Sequence, residues 1–437
     1  MYIYEVAKSL APKRRGCFGQ KRKTKRKDFA MCLAESKRQF APVLFIAQRL
    51  AVIQKKHMKY SIIGAGIGGL TTALAFEKKG IDYHIFEKAF ELSEVGAGIW
   101  LAPNALQVLE HLEILEDIKE KGNSIDRITI SKADLNPLSD NFQDNIKKEF
   151  GFSTIAIHRA ELQKLLFNKI PKEKISLGKG FQSFEKLNDD SIKIKFDDNS
   201  EFLTDFLIGA DGINSKVRKQ LFPNSKTRFS EQTCWRGVAN IKLNKEFENR
   251  GIELWGNQIR FGISKIARNK VYWFAVAIDK PNQKDDESLI KQKLLKMFSN
   301  FHPLVRELIS ATSEINILRN DIYDLEPLEN WHKGNVCLIG DAGHATTPNM
   351  GQGGAQAIED AYYLSNLIKS NINENIFKLF QQKRQSKVNT IVKQSWTTGK
   401  MAHWRYGKNF RNFLLKNLPK KILENKMMEM YQIEKVL

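Results

Sequence analysis

Tyr60-Ser61-Ile62-Ile63-Gly64-Ala65-Gly66-Ile67-Gly68-Gly69-Leu70-Thr71-Thr72-Ala73-Leu74-Ala75-Phe76 decides the fold. A short apolar strand runs into a glycine cluster, and the cluster opens a helical run. Gly64 permits the tight turn, Gly66 lets the backbone approach a pyrophosphate, and Gly69 lets the helix pack close to the strand. The helix start then meets phosphates with free N–H groups and the positive end of its dipole. Such a turn alone is weak evidence. Here a second strand, Asp82 to Phe86, ends in Glu87, 23 residues after Gly64. An acid bonding an adenosine ribose is expected at that spacing. A carboxylate there suits a free 2′-hydroxyl, as in FAD or NAD, and repels a 2′-phosphate.

Working outward, Val336-Cys337-Leu338-Ile339-Gly340-Asp341 runs on through His344 to Pro348-Asn349-Met350-Gly351-Gln352-Gly353-Gly354. It reads as a buried strand, an acidic turn and a glycine-rich helix start. That order puts one carboxylate and several backbone N–H groups at the carboxyl edge of a sheet. The edge suits a ligand with hydroxyls on one side and an electron-rich ring on the other, as in a flavin ribityl chain and isoalloxazine. A third cluster, Gly209-Ala210-Asp211-Gly212 through Arg218, lies between the two.

The three motifs in this order resemble the single-component FAD-dependent aromatic hydroxylases, the para-hydroxybenzoate hydroxylase family. The nearest-looking branches are the 3-hydroxybenzoate 6-hydroxylases, salicylate hydroxylases, urate hydroxylases and zeaxanthin epoxidases. The resemblance spans about Met58 to Trp404. It implies an α/β fold: a Rossmann-like FAD-binding domain, an antiparallel-sheet substrate domain and a helical C-terminal segment. It implies noncovalent FAD, with NAD(P)H as a transient co-substrate. The implied reaction inserts one oxygen atom of O2 into a small aromatic or heteroaromatic substrate through a flavin C4a-hydroperoxide. Alternatives are an epoxidase of a carotenoid-like alkene, or a non-oxygenating reductase or binding protein on the same fold.

The resemblance also assigns roles. Gly64, Gly66, Gly68, Gly69, Glu87 and Lys88 would hold the adenosine and pyrophosphate side. Asp341 would bond a ribityl hydroxyl. Gly351, Gln352, Gly353 and Gly354 would set a helix start near flavin N1 and O2, stabilising the anionic reduced ring. Trp100, Arg159, Phe181 and Asp211 complete the cofactor set, and Arg218 stands in the motif linked to both FAD and nicotinamide. Arg260, Tyr272 and Pro348 form the implied catalytic set. Arg260 would hold a carboxylate or polarise a carbonyl, and Tyr272 would bond a phenolic oxygen. Asn349 departs from the urate hydroxylases, which favour an acid there, and matches the epoxidase pattern. Trp235, Trp255, Trp273 and Phe274 either line the pocket or build the core, with core the default. His344 reads as a hydrogen-bonded turn residue, since the reaction needs no histidine there.

Charge and cysteine usage bound the rest. The chain has 437 residues and a net charge of +21. Residues 1–57 hold 15 Lys/Arg against 3 Asp/Glu, a net +12, which leaves +9 for the other 380. The extension therefore reads as a basic segment foreign to the fold, disordered or not native; the rivals are a targeting peptide and a basic tail. Cys17, Cys32, Cys234 and Cys337 form no CxxC pair, so neither zinc nor a disulfide scaffold is suggested. A reducing, cytoplasmic setting is the expectation. No apolar run reaches the ~18 residues of a spanning helix. A small-molecule substrate is expected, with no nucleic-acid partner, and the protein as monomer or homodimer.

Domain limits follow from pattern. The FAD-binding domain is expected over 58–130, 155–230 and 325–370. The substrate domain takes 131–154 and 231–324, where strands lack intervening helices. Residues 371–437 form the helical segment. Within these limits, Pro103 to Ile118 reads as one helical stretch and Asn136 to Lys148 as a polar loop. Phe410 to Leu423 mixes apolar residues with lysines; packing on its own domain is the default reading, and an amphipathic helix touching an anionic membrane is the alternative.

Overall fold

The computed structural model describes residues 58–92, 97–370 and 375–434. The basic extension at 1–57, with Cys17 and Cys32, lies outside them.

The strand Lys59–Ile63 is central to a six-stranded sheet. Phe206–Gly209 and Asp82–Phe86 flank it in parallel, and Val336–Leu338 pairs in parallel with Phe206–Gly209. All four strands end at one edge, so the three glycine motifs that follow them share it. His332–Lys333 adds an antiparallel outer strand. Cys337 is buried in this sheet, a packing residue. The helices Ile67–Lys79 and Gly353–Lys369 contribute Leu70, Leu74, Ile358 and Leu364 to the core beside it.

A seven-stranded sheet carries the second half of the molecule. Its order is Leu318–Leu325, Thr227–Ala239, Lys270–Ile278, Ile259–Ala267, Arg250–Trp255, Arg127–Lys132 and Pro137–Phe142. Pairing is antiparallel except between Arg250–Trp255 and Arg127–Lys132. Arg127–Lys132 thus straddles the division drawn at residues 130 and 131. Trp235, Trp273 and Phe261 on one face pack with Leu294, Val305 and Leu308 of the covering helices. The other face carries Arg260, Ser264, Tyr272 and Phe274, because side chains alternate along a strand.

Three local readings need correction. Asn136 to Lys148 is not a loop: Pro137–Phe142 is the edge strand and Asp144–Phe150 a helix. Its polar residues are taken up by pairing, since Asp140 accepts from Arg127 and Thr129. Pro103 to Ile118 is two helices, Pro103–His111 and Leu115–Lys121. The break falls where Glu113 takes a left-handed φ of 61°. The C-terminal stretch is likewise two helices, Lys408–Asn417 and Lys420–Tyr431, parted at Pro419. Proline there lacks the N–H a continuous helix needs.

Candidate functional site

The first glycine loop is constrained on two sides and open on the third. Gly64 has a φ of +106°, and a Cβ on it would lie 2.6 Å from the Ala210 carbonyl oxygen. A Cβ on Gly69 would lie 1.9 Å from the Gly64 oxygen. A Cβ on Gly66 would meet nothing within 4 Å. The helix that follows has neither a side-chain cap nor an acid in its first turn, so its leading amides want acceptors. Glu87 braces the loop: Oε2 accepts from the Ala65 amide at 2.7 Å and Oε1 from the Ala89 amide at 2.9 Å. Gln163 Nε2 donates to the Ala65 oxygen at 2.8 Å. Lys88 is exposed beside it.

The second helix start repeats this design. Gly353–Lys369 also begins without a side-chain cap or an early acid. Gly351 takes a φ of +63°, and a Cβ there would meet open space. The two helices touch at Ala357: a Cβ on Gly68 would lie 3.2 Å from its Cβ, and one on Gly340 2.9 Å. Gly68 and Gly340 thus allow two uncapped helix starts to sit side by side. Asp341 is solvent-accessible, yet burial raises its carboxyl pKa against the opposing pull of His344 and Arg159. Open backbone at Gly66, free amides at both helix starts and the Asp341 carboxyl fit a flavin dinucleotide. The pyrophosphate would meet the first start, a ribityl hydroxyl Asp341, and the ring the second start.

The middle motif braces this edge. Asp211 Oδ2 accepts from the Lys216 and Val217 amides at 2.7 and 3.2 Å, while Oδ1 is buried without a partner. Arg218 is buried and donates to the Ala342 oxygen at 3.0 Å and the Ile213 oxygen at 2.6 Å. It therefore ties the Asp211 loop to the Asp341 turn.

Sequence reasoning missed the support beneath Gly351–Gly354. Gln352 is buried, and its Oε1 accepts from Asn104 and Gln356, both at 3.0 Å. Gln356 and Asn104 also bond Glu359. Arg384 reaches across from the long helix Ile376–Ala402 to Glu359 at 2.5 Å and Asp360 at 2.9 Å. Asp360 in turn holds His344 at 2.6 Å and the Gly340 amide at 2.9 Å, which makes His344 the turn residue expected. The one signal for this network was a run of polar residues, Gln356, Glu359 and Asp360, on an otherwise apolar helix.

Arg260 and Tyr272 share a sheet face but differ in state. Arg260 pairs with Val276 and Tyr272 with Ser264 in register, which separates them by roughly 13 Å along the strands. Phe274 lies between them, its ring over Gly262, where a Cβ would come within 2.0 Å. Arg260 is 2% exposed. It makes an ion pair with Glu253 at 2.9 Å, donates to Asn349, and reaches Gln232 at 3.4 Å. Tyr272 is half-buried, with its ring against Gly98. Its hydroxyl makes no hydrogen bond among the described residues. Burial pushes its pKa up, and the charges of Arg236 and Arg159 act the other way.

The remaining expected residues are scattered around this face. Trp100 donates from Nε1 to Ser264 Oγ at 3.0 Å and packs over Gly251. Pro348 is exposed and opens the turn Pro348–Met350, next to Asn349. Gly399 of the long helix lets Asn349 approach, since a Cβ there would lie 2.3 Å from Asn349 Nδ2. Phe181 is buried in the cluster with Phe196 and Leu207, and its strand pairs with Ile192–Phe196, so its ring serves the core. Trp235 and Trp273 are core, Trp255 lies against Arg411, and Phe274 belongs to the Arg260 face.

The FAD binding domain family matches residues 58–395. The aurachin C monooxygenase/isomerase of Stigmatella aurantiaca is 34% identical over 350 residues, 78% of this chain and 89% of the relative. The 2-heptyl-3-hydroxy-4(1H)-quinolone synthase of Pseudomonas aeruginosa is 33% identical over 83% of this chain and 94% of its own length. A zeaxanthin epoxidase of Prunus armeniaca is 34% identical, and the match spans 76% of this chain and 52% of that protein. Among solved structures, Klebsiella pneumoniae HpxO with FAD and uric acid superposes with a TM-score of 0.80 at 24% identity, over 86% of this chain and 97% of that one.

Proposed function

The chain belongs to the FAD binding domain family, and from that premise we propose that it oxygenates a neutral, lipophilic heteroaromatic compound. It is an FAD-dependent, NAD(P)H-using monooxygenase of aromatic substrates. Among the described residues, no helix is long and apolar enough to cross a membrane.

One observation carries the choice of substrate. Arg260, the cation expected to receive an anionic substrate, already carries the Glu253 carboxylate. A buried charge so paired has little net field left for a second carboxylate, and breaking the pair is costly. The Tyr272 hydroxyl is an open, uncharged polar group on this face, beside Arg236, which stands opposite Phe274 and donates to Asn320. Phe274 and the Tyr272 ring offer flat apolar surface, which suits a fused aromatic ring. Two relatives, by their names, act on an aurachin and form an alkylated quinolone. A carbonyl or ring N–H on such a compound would meet Tyr272.

Bound FAD supplies hydride acceptance from NAD(P)H and activation of O2. The protein's own groups do the remaining work. The Gly66 loop and the Ile67–Lys79 helix start would hold the pyrophosphate. Asp341 would fix the ribityl chain, and the Gly353–Lys369 start would stabilise negative charge on the reduced ring. Arg260, Asn349 and Gln232 would fix the pocket wall, while Tyr272 orients the substrate. The test is a panel of neutral 2-alkylquinolones against aromatic carboxylates, following NAD(P)H oxidation and labelled O2 in product. Labelled product from the neutral compounds is expected. Faster, better-coupled turnover of the carboxylates would overturn the reading.

A further inference from the structure

We infer that the two C-terminal helices form a docking surface for an anionic lipid bilayer. Among the described residues, seven of the fourteen exposed large hydrophobic side chains fall between Trp404 and Ile422. That concentration is too high for scattered surface residues. Phe410, Phe413 and Leu414 are 60%, 61% and 45% exposed. Their spacing places them on one stripe of Lys408–Asn417. Leu418 and Ile422 continue the patch onto Lys420–Tyr431.

The stripe faces away from the body, because the opposite sides of both helices are anchored. Arg411 is fully buried, donates to the Ala402 oxygen at 2.8 Å and lies 5.0 Å over the Trp255 ring. Tyr431 is buried beside Ala102 and Ile146, and its carbonyl accepts from Gln107 at 3.0 Å. The helices are therefore held in place with their apolar side uncovered.

Charge selects the occupant. Arg405, Lys408, Lys416, Lys420, Lys421 and Lys426 border the stripe, and Glu424 is the one acid between Trp404 and Lys426. None of these six cations has an ion-pair partner among the described residues. A second copy of the chain would bring like charges together across a two-fold axis. A nucleic acid would satisfy the lysines but leave the phenylalanines and leucines in water. An anionic bilayer satisfies both, with cations at the headgroups and apolar side chains below them. Trp404 and Tyr406 at the margin have the amphipathic rings that favour a membrane interface. The surface adjoins the substrate face, since Trp255 under Arg411 pairs in register with Arg260. This inference rests on the surface alone and not on the identity of the substrate.

The test must distinguish this surface from the basic residues 1–57, which contain no tryptophan. Full-length FAD-loaded protein is titrated with vesicles of phosphatidylcholine and brominated phosphatidylglycerol, and tryptophan quenching is read. Quenching is expected with these vesicles and not with brominated phosphatidylcholine alone. Trp404→Phe should remove most of it. Phe410→Ser with Phe413→Ser, and separately Lys420→Glu with Lys421→Glu, should each weaken vesicle affinity by at least about tenfold. FAD content equal to wild type shows that these exposed changes leave the fold intact. Co-sedimentation with vesicles without tryptophan quenching would overturn the inference and assign binding to residues 1–57. Self-association abolished by the Phe410/Phe413 change, again without quenching, would overturn it in favour of a second copy.

Discussion

The proposed cofactor cradle and the proposed substrate face are built from different materials. The cradle is backbone: two uncapped helix starts, brought together where Gly68 and Gly340 meet Ala357. Its side chains mostly brace the loops, as Glu87 and Arg218 do. The substrate face is side chain, and its meaning depends on what each group already touches. Arg260 is neutralised and Tyr272 is free, although both lie on one face of adjacent strands. A backbone site accepts any ligand with the right phosphates and dipoles. A side-chain site selects by charge and shape, so one substitution can redirect it.

The sharpest way to break this contrast is within the glycine loop itself. Gly69→Ala puts a methyl group 1.9 Å from a backbone oxygen that has no room to yield. It should cost more than about 3 kcal/mol and give insoluble or FAD-free protein. A Cβ on Gly66 meets no atom within 4 Å and the backbone there is extended, so in Gly66→Val the fold should persist. The FAD Kd should still rise by at least about a hundredfold, roughly 2.7 kcal/mol. Thermal melts of the apoproteins and FAD titration separate the two. Equal loss of fold in both variants would show that Gly66 is a packing residue and not a place for phosphate.

Next in size is the support under the second helix start. Arg384→Met leaves Glu359 and Asp360 buried with Lys387 and His344 as the remaining ion-pair partners. Urea unfolding should show a loss of about 3 kcal/mol. Flavin affinity should fall as well, because Gln352 loses its fixed neighbours. Unchanged flavin affinity in a destabilised variant would confine the network to stability.

This difference in material explains what the sequence revealed. Glycine has few reasons to recur at fixed spacing between a strand and a helix, so Gly64–Gly69 and Gly340–Gly354 announce their geometry directly. The strand–turn–helix order was legible for the same reason. Arg260 was found, but its partner Glu253 was not, since pairing across a hairpin depends on register that periodicity leaves open. Arg384 joins Glu359 and Asp360 from 25 and 24 residues away, a contact no local pattern encodes. The polar stretch 136–148 misled because an edge strand faces water and carries polar residues without ceasing to be a strand.

A smaller change sharpens the substrate side. Glu253→Gln removes the carboxylate but keeps a hydrogen-bonding group beside Arg260. The guanidinium then has a net charge to offer. The ratio of KM for neutral quinolones to KM for aromatic carboxylates should rise by roughly tenfold, about 1.4 kcal/mol. Normal FAD content is the control for folding. A ratio equal to wild type would mean that Arg260 is remote from the substrate and that the neutral-substrate argument loses its basis.

The smallest effect is expected at Tyr272. Its ring packs against Gly98, where a Cβ would lie 2.5 Å from the ring carbons. Phenylalanine keeps that packing and removes only the hydroxyl. The hydroxyl has no partner among the described residues, so Tyr272→Phe leaves no buried donor or acceptor stranded and should not lower stability. What is lost is one neutral hydrogen bond to the substrate, about 0.5–1.5 kcal/mol. KM should therefore rise two- to tenfold at most, roughly the range those energies allow. The larger signature should be uncoupling. A substrate held less well relative to the flavin meets the activated oxygen less often, so product per NAD(P)H consumed should fall more than binding does. Comparing NAD(P)H consumed with labelled product formed reads the two effects apart. Wild-type coupling in Tyr272→Phe would remove the hydroxyl from the substrate site and leave Phe274 and the Arg260 network as the groups that orient the ring.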